Sequence, residues 1–274
     1  MNGKAIKMPT GAAAEYAKYA CNFYKGCSNS CTYCFNRRWG WGNVPTLKKC
    51  FKDETHALEV FKMELNENLP ELQKHGIFFS FSTDPMLPET LILTYRALVE
   101  TCWNRVPVKI LTKMSRPFLC NGFFECVPPI AKYYVSVGFT LTGHDGLDPN
   151  ASPNVERIQA MRRLHEAGFK TWASIEPVID IESSMKMIEQ TSDFCDLYKI
   201  GLLSRKKYDK DELNFFVRNL VYDFTADCEM GNYPINYEQK FYFKDSLLQQ
   251  AGINRADLPS NCVDRDYNIF EVIK

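Results

Sequence analysis

No stretch of 18 apolar residues occurs in this 274-residue chain, so no segment is expected to cross a membrane as a helix. The N-terminus carries an alanine-rich stretch from Gly11 to Ala14 but lacks the apolar core of a secretory signal. Low-complexity tracts and short repeat periods are also missing, which excludes a solenoid. Net charge is zero. That balance hides an asymmetry: residues 1–50 hold eight basic side chains against Glu15 alone, while residues 206–274 hold nine basic and twelve acidic ones. The basic segment suits either a phosphate-bearing partner or a solvated face. Cysteine is plentiful, at 11 residues. Without a signal sequence these read as metal ligands or free thiols of a reducing compartment, and a cytoplasmic protein is expected. The length fits one medium domain or one domain with an appendage, and the 45% apolar content suffices for a sizeable core.

Gly26-Cys27-Ser28-Asn29-Ser30-Cys31-Thr32-Tyr33-Cys34-Phe35 carries the spacing C-x3-C-x2-C. Three soft thiolates so close together suit three irons of a cubane cluster, and a triad leaves the fourth iron open for chemistry. Structural zinc is the rival, because C-x2-C is half of a zinc knuckle. It needs a fourth ligand nearby, and the flanking candidates Cys21, Cys50 and His56 are single residues.

Short apolar runs alternate with helical patterns. Strands are expected at Tyr19–Tyr24, Ile77–Ser82, Val108–Thr112, Tyr133–Phe139, Lys170–Ile175 and Leu197–Gly201. Helices are expected at Asp53–Leu69 (stopping at Pro70), Glu89–Trp103, Pro153–Ala167 with Ser152 as N-cap, and Asp180–Gln190. Six strands alternating with helices imply a parallel α/β sheet, with all strand C-termini on one rim. The cysteine loop, Ser82-Thr83-Asp84, Lys113, Thr140, Glu176 and Ser204-Arg205 each follow a strand and so fall on that rim. Beyond Lys206 the rhythm ends. Helices over Asp209–Asp223 and Glu238–Ala251 are expected there, capping the barrel or covering a substrate.

A cysteine triad after the first strand of such a chain resembles the radical S-adenosylmethionine superfamily. Ser82-Thr83-Asp84-Pro85, Pro88-Glu89, Ile110-Leu111-Thr112-Lys113 and the Ser136 strand are similar to its spore photoproduct lyase-like branch, over about Asn22 to Pro177. The resemblance implies an α/β fold: a partial (β/α)6 TIM-type barrel over residues 1–205, with a helical C-terminal extension over 206–274. It implies a [4Fe-4S] cluster on Cys27, Cys31 and Cys34. It further implies S-adenosylmethionine on the open iron, cleaved to a 5′-deoxyadenosyl radical that takes a hydrogen atom from substrate. Tyr33 would lie near the adenine. Ser82, Thr83 and Asp84 would receive the methionyl amino group, and Lys113 the carboxylate. Ser136 would touch ribose or carboxylate, and Glu176 ribose or substrate. A reductant such as flavodoxin or ferredoxin would supply the electron.

One departure narrows the function. Photoproduct lyases place a hydrogen-donating cysteine just before the matched serine, where this chain has Phe81. Cys102, Cys120, Cys126, Cys195, Cys228 and Cys262 remain as donors or auxiliary ligands, but they are scattered. Arg37-Arg38-Trp39-Gly40-Trp41-Gly42 offers either a phosphate-binding, base-stacking face or tryptophans that pack a helix against the barrel. The expected substrate is a nucleotide, a nucleic-acid base or another small polar molecule. A peptide or protein substrate is the alternative enzyme reading, and a non-catalytic metal-binding module the alternative of another class.

Overall fold

A computed structural model of the protein describes residues 3–221 and 239–270. Its strands are β1 (Ile6–Lys7), β2 (Ala20–Cys21), β3 (Tyr24–Lys25), β4 (Lys48–Lys49), β5 (Ile77–Phe79), β6 (Val108–Thr112), β7 (Val135–Thr140), β8 (Lys170–Val178), β9 (Leu197–Leu202) and β10 (Lys240–Phe243). The α-helices are α1 (Glu54–Glu67), α2 (Leu69–His75), α3 (Leu91–Trp103), α4 (Arg116–Leu119), α5 (Gly122–Cys126), α6 (Asn154–Glu166), α7 (Ile181–Thr191), α8 (Lys210–Val221) and α9 (Asp245–Ala251). The main sheet has the order β1-β2-β5-β6-β7-β8-β9-β10, parallel throughout except for β1 at its edge. β3 and β4 form a separate antiparallel ribbon.

Alternation along the strands gives the sheet two buried faces. Val108, Ile110 and Thr112 of β6 turn toward the helices, while Lys109 and Leu111 turn the other way. The inner face gathers Phe78, Trp172, Tyr242 and the incoming Tyr16. Phe78 on β5 and Trp172 on β8 stand three strands apart, roughly 14 Å along a flat sheet. Their ring centroids are nevertheless 6.4 Å apart, so the sheet curls into a partial barrel with these rings inside. Gly138 permits the curl. A Cβ there would lie 2.1 Å from the Trp172 ring.

Local chemistry sets the element ends. Asp53 caps α1 by accepting from the His56 amide at 2.8 Å, and Asp180 caps α7 by accepting from the Ser183 amide at 2.7 Å. Leu213, Phe216, Val217 and Leu220 form the buried stripe of α8. Four such side chains contribute on the order of 6–12 kcal/mol before the entropy of ordering is subtracted.

Several expected boundaries move, each for a visible reason. The first strand is split: Asn22 Oδ1 accepts from the Phe81 and Ser82 amides, and the chain leaves the sheet for the β3–β4 ribbon. Pro70 does not end a helix but sits in the first turn of α2, where its missing N–H costs nothing. Ser152 does not cap α6. Its hydroxyl accepts from the Ser115 amide at 2.9 Å, and Pro153 takes the cap position. The largest correction concerns the extension. Lys240–Phe243 is a strand added parallel to β9, so the segment is not purely helical, and helix α9 begins at Asp245. Asp223, Cys228 and Glu238 lie outside the described residues.

Candidate cofactor site

The cysteine loop leaves the sheet after β2 and is clamped from two sides. On one side the Cys27 amide donates to Trp41 O, and Cys27 O accepts from the Asn43 and Val44 amides. Gly26 is needed here. Its φ is +102°, and a Cβ would meet Val44 at 2.5 Å. On the other side the Thr32 amide donates to Leu147 O at 2.8 Å, and Asn150 Nδ2 donates to Ser28 O at 3.0 Å. Cys27, Cys31 and Cys34 are free thiols, with Cys31 buried and the other two half-buried.

Among the described residues, no three His, Cys, Asp or Glu side chains stand close enough together to ligate one ion. A single zinc ion would draw its ligands to one point, whereas three ligands of three different irons need no common point. Burial, helped by the Asp84 charge, pushes the Cys27 thiol up to about 12. Burial also raises Cys31, against the pull of Lys113. Metal loading must release these protons.

Asp84, in the loop that follows β5, organises the rim. Its Oδ1 accepts from Thr112 Oγ1 at 2.6 Å and the Met86 amide at 3.0 Å. Its Oδ2 accepts from the Lys113 amide at 2.8 Å and Asn29 Nδ2 at 2.9 Å. Four donors fill the carboxylate. Ser82 is also engaged, its hydroxyl donating to the Asn22 side-chain Oδ1 and the Tyr24 carbonyl. Of the three residues expected to receive an amino group, Thr83 is the one with a free acceptor. Its buried Oγ1 has no partner, nor has Asn29 Oδ1.

Lys113 supplies the opposite charge. Its ammonium makes no hydrogen bond or ion pair among the described residues and stands 5.6 Å from the Tyr33 ring centroid. Desolvation works to lower its pKa, but Tyr33 and Cys31 outweigh it, so the group stays cationic. Tyr33 donates to Asp148 Oδ2 at 3.3 Å, and the same oxygen accepts from Arg157 in a fully buried pair at 2.7 Å. Asp148 Oδ1 is buried and unpartnered.

Ser136 stands apart from these residues. It is the second residue of β7, at the N-terminal end of the strand, and donates to Val108 O at 3.2 Å. Four residues separate it from Thr140, about 13 Å of strand, so it does not share the rim with the triad.

Glu176 does reach the mouth of the barrel, from β8, but in company the sequence did not announce. Its Oε1 accepts from Lys244 at 2.7 Å and its Oε2 from the Tyr16 hydroxyl, which in turn pairs with Ser174 at 3.0 Å. Gly201 leaves room for the pair, since a Cβ there would meet Lys244 Cδ at 2.8 Å and Glu176 Cδ at 2.9 Å. Beneath them lies Lys199, bonded to the Glu15 and Tyr16 carbonyls at 3.3 Å. Burial, with Lys109 and Lys244 nearby, holds its ammonium well below the usual lysine range. A charged residue on the inner face of an apolar strand, as in Leu-Tyr-Lys-Ile-Gly, was the available signal for this network. Of the remaining cysteines, Cys102 and Cys195 are buried, and Cys120 and Cys126 are exposed. None joins a second metal-binding group among the described residues.

No family model matches the chain. Uncharacterized protein MJ0683 of Methanocaldococcus jannaschii is 28% identical over 209 residues, which cover 69% of this chain and 72% of that protein. A variant of spore photoproduct lyase, solved with bound S-adenosylmethionine and dinucleoside spore photoproduct, superposes with a TM-score of 0.58 at 15% identity. The match covers 84% of this chain and 69% of that one. SuiB of Streptococcus suis, bound to S-adenosylmethionine, gives 0.59 at 12% identity over 84% of this chain and 51% of its own. The curled parallel sheet thus has the fold seen in spore photoproduct lyase and SuiB.

Proposed function

We propose that the protein is a radical S-adenosylmethionine enzyme. In this reading Cys27, Cys31 and Cys34 hold a [4Fe-4S] cluster, and S-adenosylmethionine occupies the iron they leave free. The observation that carries it is the pairing of charge and vacancy on one rim. Among the described residues the Lys113 ammonium makes no hydrogen bond or ion pair, and Thr83 Oγ1 and Asn29 Oδ1 are buried without a partner. A zwitterionic amino-acid group answers both needs, its carboxylate meeting Lys113 and its ammonium meeting the free oxygens.

When bound, cluster and S-adenosylmethionine supply reductive cleavage of the sulfonium and a 5′-deoxyadenosyl radical that removes a hydrogen atom from substrate. The chain supplies placement. Asp84 fixes the cysteine loop against the ends of β5 and β6. Tyr33, held through Asp148 and Arg157, presents a flat ring beside Lys113. Glu176, Lys244 and Tyr16 face the barrel mouth with a donor and an acceptor side by side, which suits a nucleotide, a base or another small polar substrate. Phe78 and Phe81, stacked at 4.4 Å, wall off water on the inner face. A reductant such as flavodoxin or ferredoxin completes the cycle.

The test is anaerobic reconstitution followed by dithionite and S-adenosylmethionine, with 5′-deoxyadenosine measured. Wild type is expected to release it and Cys31→Ala is not. A colourless product with one tightly bound zinc would replace the enzyme by a metal-binding module.

A further inference from the structure

Lys109 is the second residue of β6 and turns to the inner face of the sheet, four residues and about 13 Å of strand before Lys113 on the rim. It belongs to the opposite, N-terminal end of the barrel. There the start of β5, the turn before β6 and the segments 16–18 and 265–268 wall a cavity of about 500 Å³, counting the part open to solvent. Its charge is lopsided. Among the described residues the lining holds Lys18, Lys74, Lys109 and Arg265 against Asp266 as its one carboxylate.

Local needs account for part of this charge. Lys18 pairs with Glu71 at 2.8 Å, and Arg265 reaches Asp245 at 3.4 Å. Lys74 sits in the last turn of α2, where a cation suits the helix dipole, but it is exposed and makes neither hydrogen bond nor ion pair. Lys109 has no such account. Its ammonium donates to Tyr267 O at 2.9 Å and makes no ion pair among the described residues, so one neutral carbonyl answers a charge with three N–H donors. Burial pushes Lys109 down to about 8, against the pull of Asp266. Like charges gathered from a strand, a helix end and the C-terminal segment repel one another, and an anion between them relieves that repulsion.

We infer that this cavity is a second ligand site, at the N-terminal end of the barrel, for a phosphate-bearing small molecule. A phosphate monoester carries nearly two charges on three acceptor oxygens, which Lys109, Lys74 and Arg265 can meet from three elements with donors alone. A lone carboxylate would leave most of that charge unanswered. The inference does not depend on the cofactor reading, since no residue of the cysteine loop or of the rim lines the cavity.

The probe is inorganic pyrophosphate, titrated by calorimetry at low ionic strength into the full reconstituted chain with S-adenosylmethionine in excess. Wild type is compared with Lys109→Met, which keeps the apolar stem, with Lys74→Glu, and with Lys186→Glu as control, an exposed and unpaired lysine on α7. Wild type is expected to bind pyrophosphate saturably. Lys109→Met is expected to raise Kd about 10- to 100-fold and Lys74→Glu at least about 5-fold, while Lys186→Glu stays within about 2-fold. Lys74 has no partner to lose, so its variant keeps the test readable if Lys109→Met fails to fold. Absent binding in wild type overturns the inference, and so do equal losses in all three variants, which are the mark of overall charge. Wild-type affinity in both cavity variants overturns it as well, by placing the anion elsewhere. Citrate bound as tightly as pyrophosphate, with the same dependence on Lys109, makes this a polycarboxylate site and overturns the phosphate assignment. A protein that binds pyrophosphate as expected but releases no 5′-deoxyadenosine speaks against the cofactor reading alone.

Discussion

Lys113→Met separates a binding lysine from a structural one. A lysine that holds the fold does so through hydrogen bonds and ion pairs, and the Lys113 ammonium makes none among the described residues, standing 5.6 Å from the Tyr33 ring centroid. Methionine keeps the length of the apolar stem and removes a half-buried charge. The metal-free variant is therefore expected to melt within about 2 °C of wild type, or slightly higher, since less than about 1 kcal/mol is at stake. Affinity for S-adenosylmethionine behaves differently. A charge-assisted hydrogen bond to a carboxylate is worth about 1.5–3 kcal/mol, so Kd rises roughly 10- to 150-fold. Calorimetry on the anaerobically reconstituted protein reads the second quantity and thermal unfolding the first. Lys113→Arg, which keeps the charge, recovers much of the affinity. A drop of several degrees in Tm with unchanged affinity would refute the assignment, because it would make Lys113 part of the scaffold.

Other outcomes follow from the same geometry. Asp84→Asn turns an NH2 group toward two of the four donors that point at the carboxylate, from Thr112, Met86, Lys113 and Asn29; iron retained per chain is expected to fall by more than half and Tm by about 4–8 °C. Gly138→Ala drives a methyl into the Trp172 ring and costs about 1–3 kcal/mol or more, whereas Gly138→Ala with Trp172→Leu regains part of it; additive losses in chemical denaturation would argue against the contact. Glu176→Gln leaves Lys244 with an uncompensated charge at the mouth, so coupled substrate turnover is expected to fall at least about 10-fold while uncoupled 5′-deoxyadenosine release persists. The Cys27 thiol, pushed up to about 12 by burial, favours the folded metal-free chain less and less as pH rises from 9 toward 12, because the unfolded thiol ionises first. Urea unfolding of the metal-free protein should weaken across that window, and Cys27→Ser should flatten the slope.

The fold was legible where one physical signal dominated. Val108–Thr112 and Leu197–Gly201 are short, β-branched or apolar runs between breakers, and they lie on β6 and β9 within a residue. The reading failed where a side chain competed with the backbone. Asn22 pulls the chain out of the first strand, and Ser152 turns from α6 to Ser115; neither partner is visible from local sequence. Lys-Phe-Tyr-Phe at 240–243 has strand composition, but Ser246 to Ala251 carries on in a helical pattern, and the two merged into one expected helix. For the candidate site, the triad's spacing was a local signal, and Lys113 directly follows β6 as the strand pattern led one to expect. Ser136 shows the limit of that logic, since a motif residue can lie at either end of its strand. Tyr16, Lys199 and Lys244 meet only because the sheet curls, and curvature is not written in any one segment.

The four donors on Asp84 also set a timetable for maturation. A ribosome adds roughly 5–20 residues per second, so the segment carrying Thr112 and Lys113 emerges about 4–16 s after Cys34. The loop from Asp145 to Asn150 follows later still. Throughout that interval the nascent thiols have neither their carboxylate anchor nor their second clamp, and any metal they capture is held by an unformed loop. A cluster carried by this triad would then be inserted after the rim is complete, and a chain truncated before β7 would leave the three thiols without the loop that clamps Thr32.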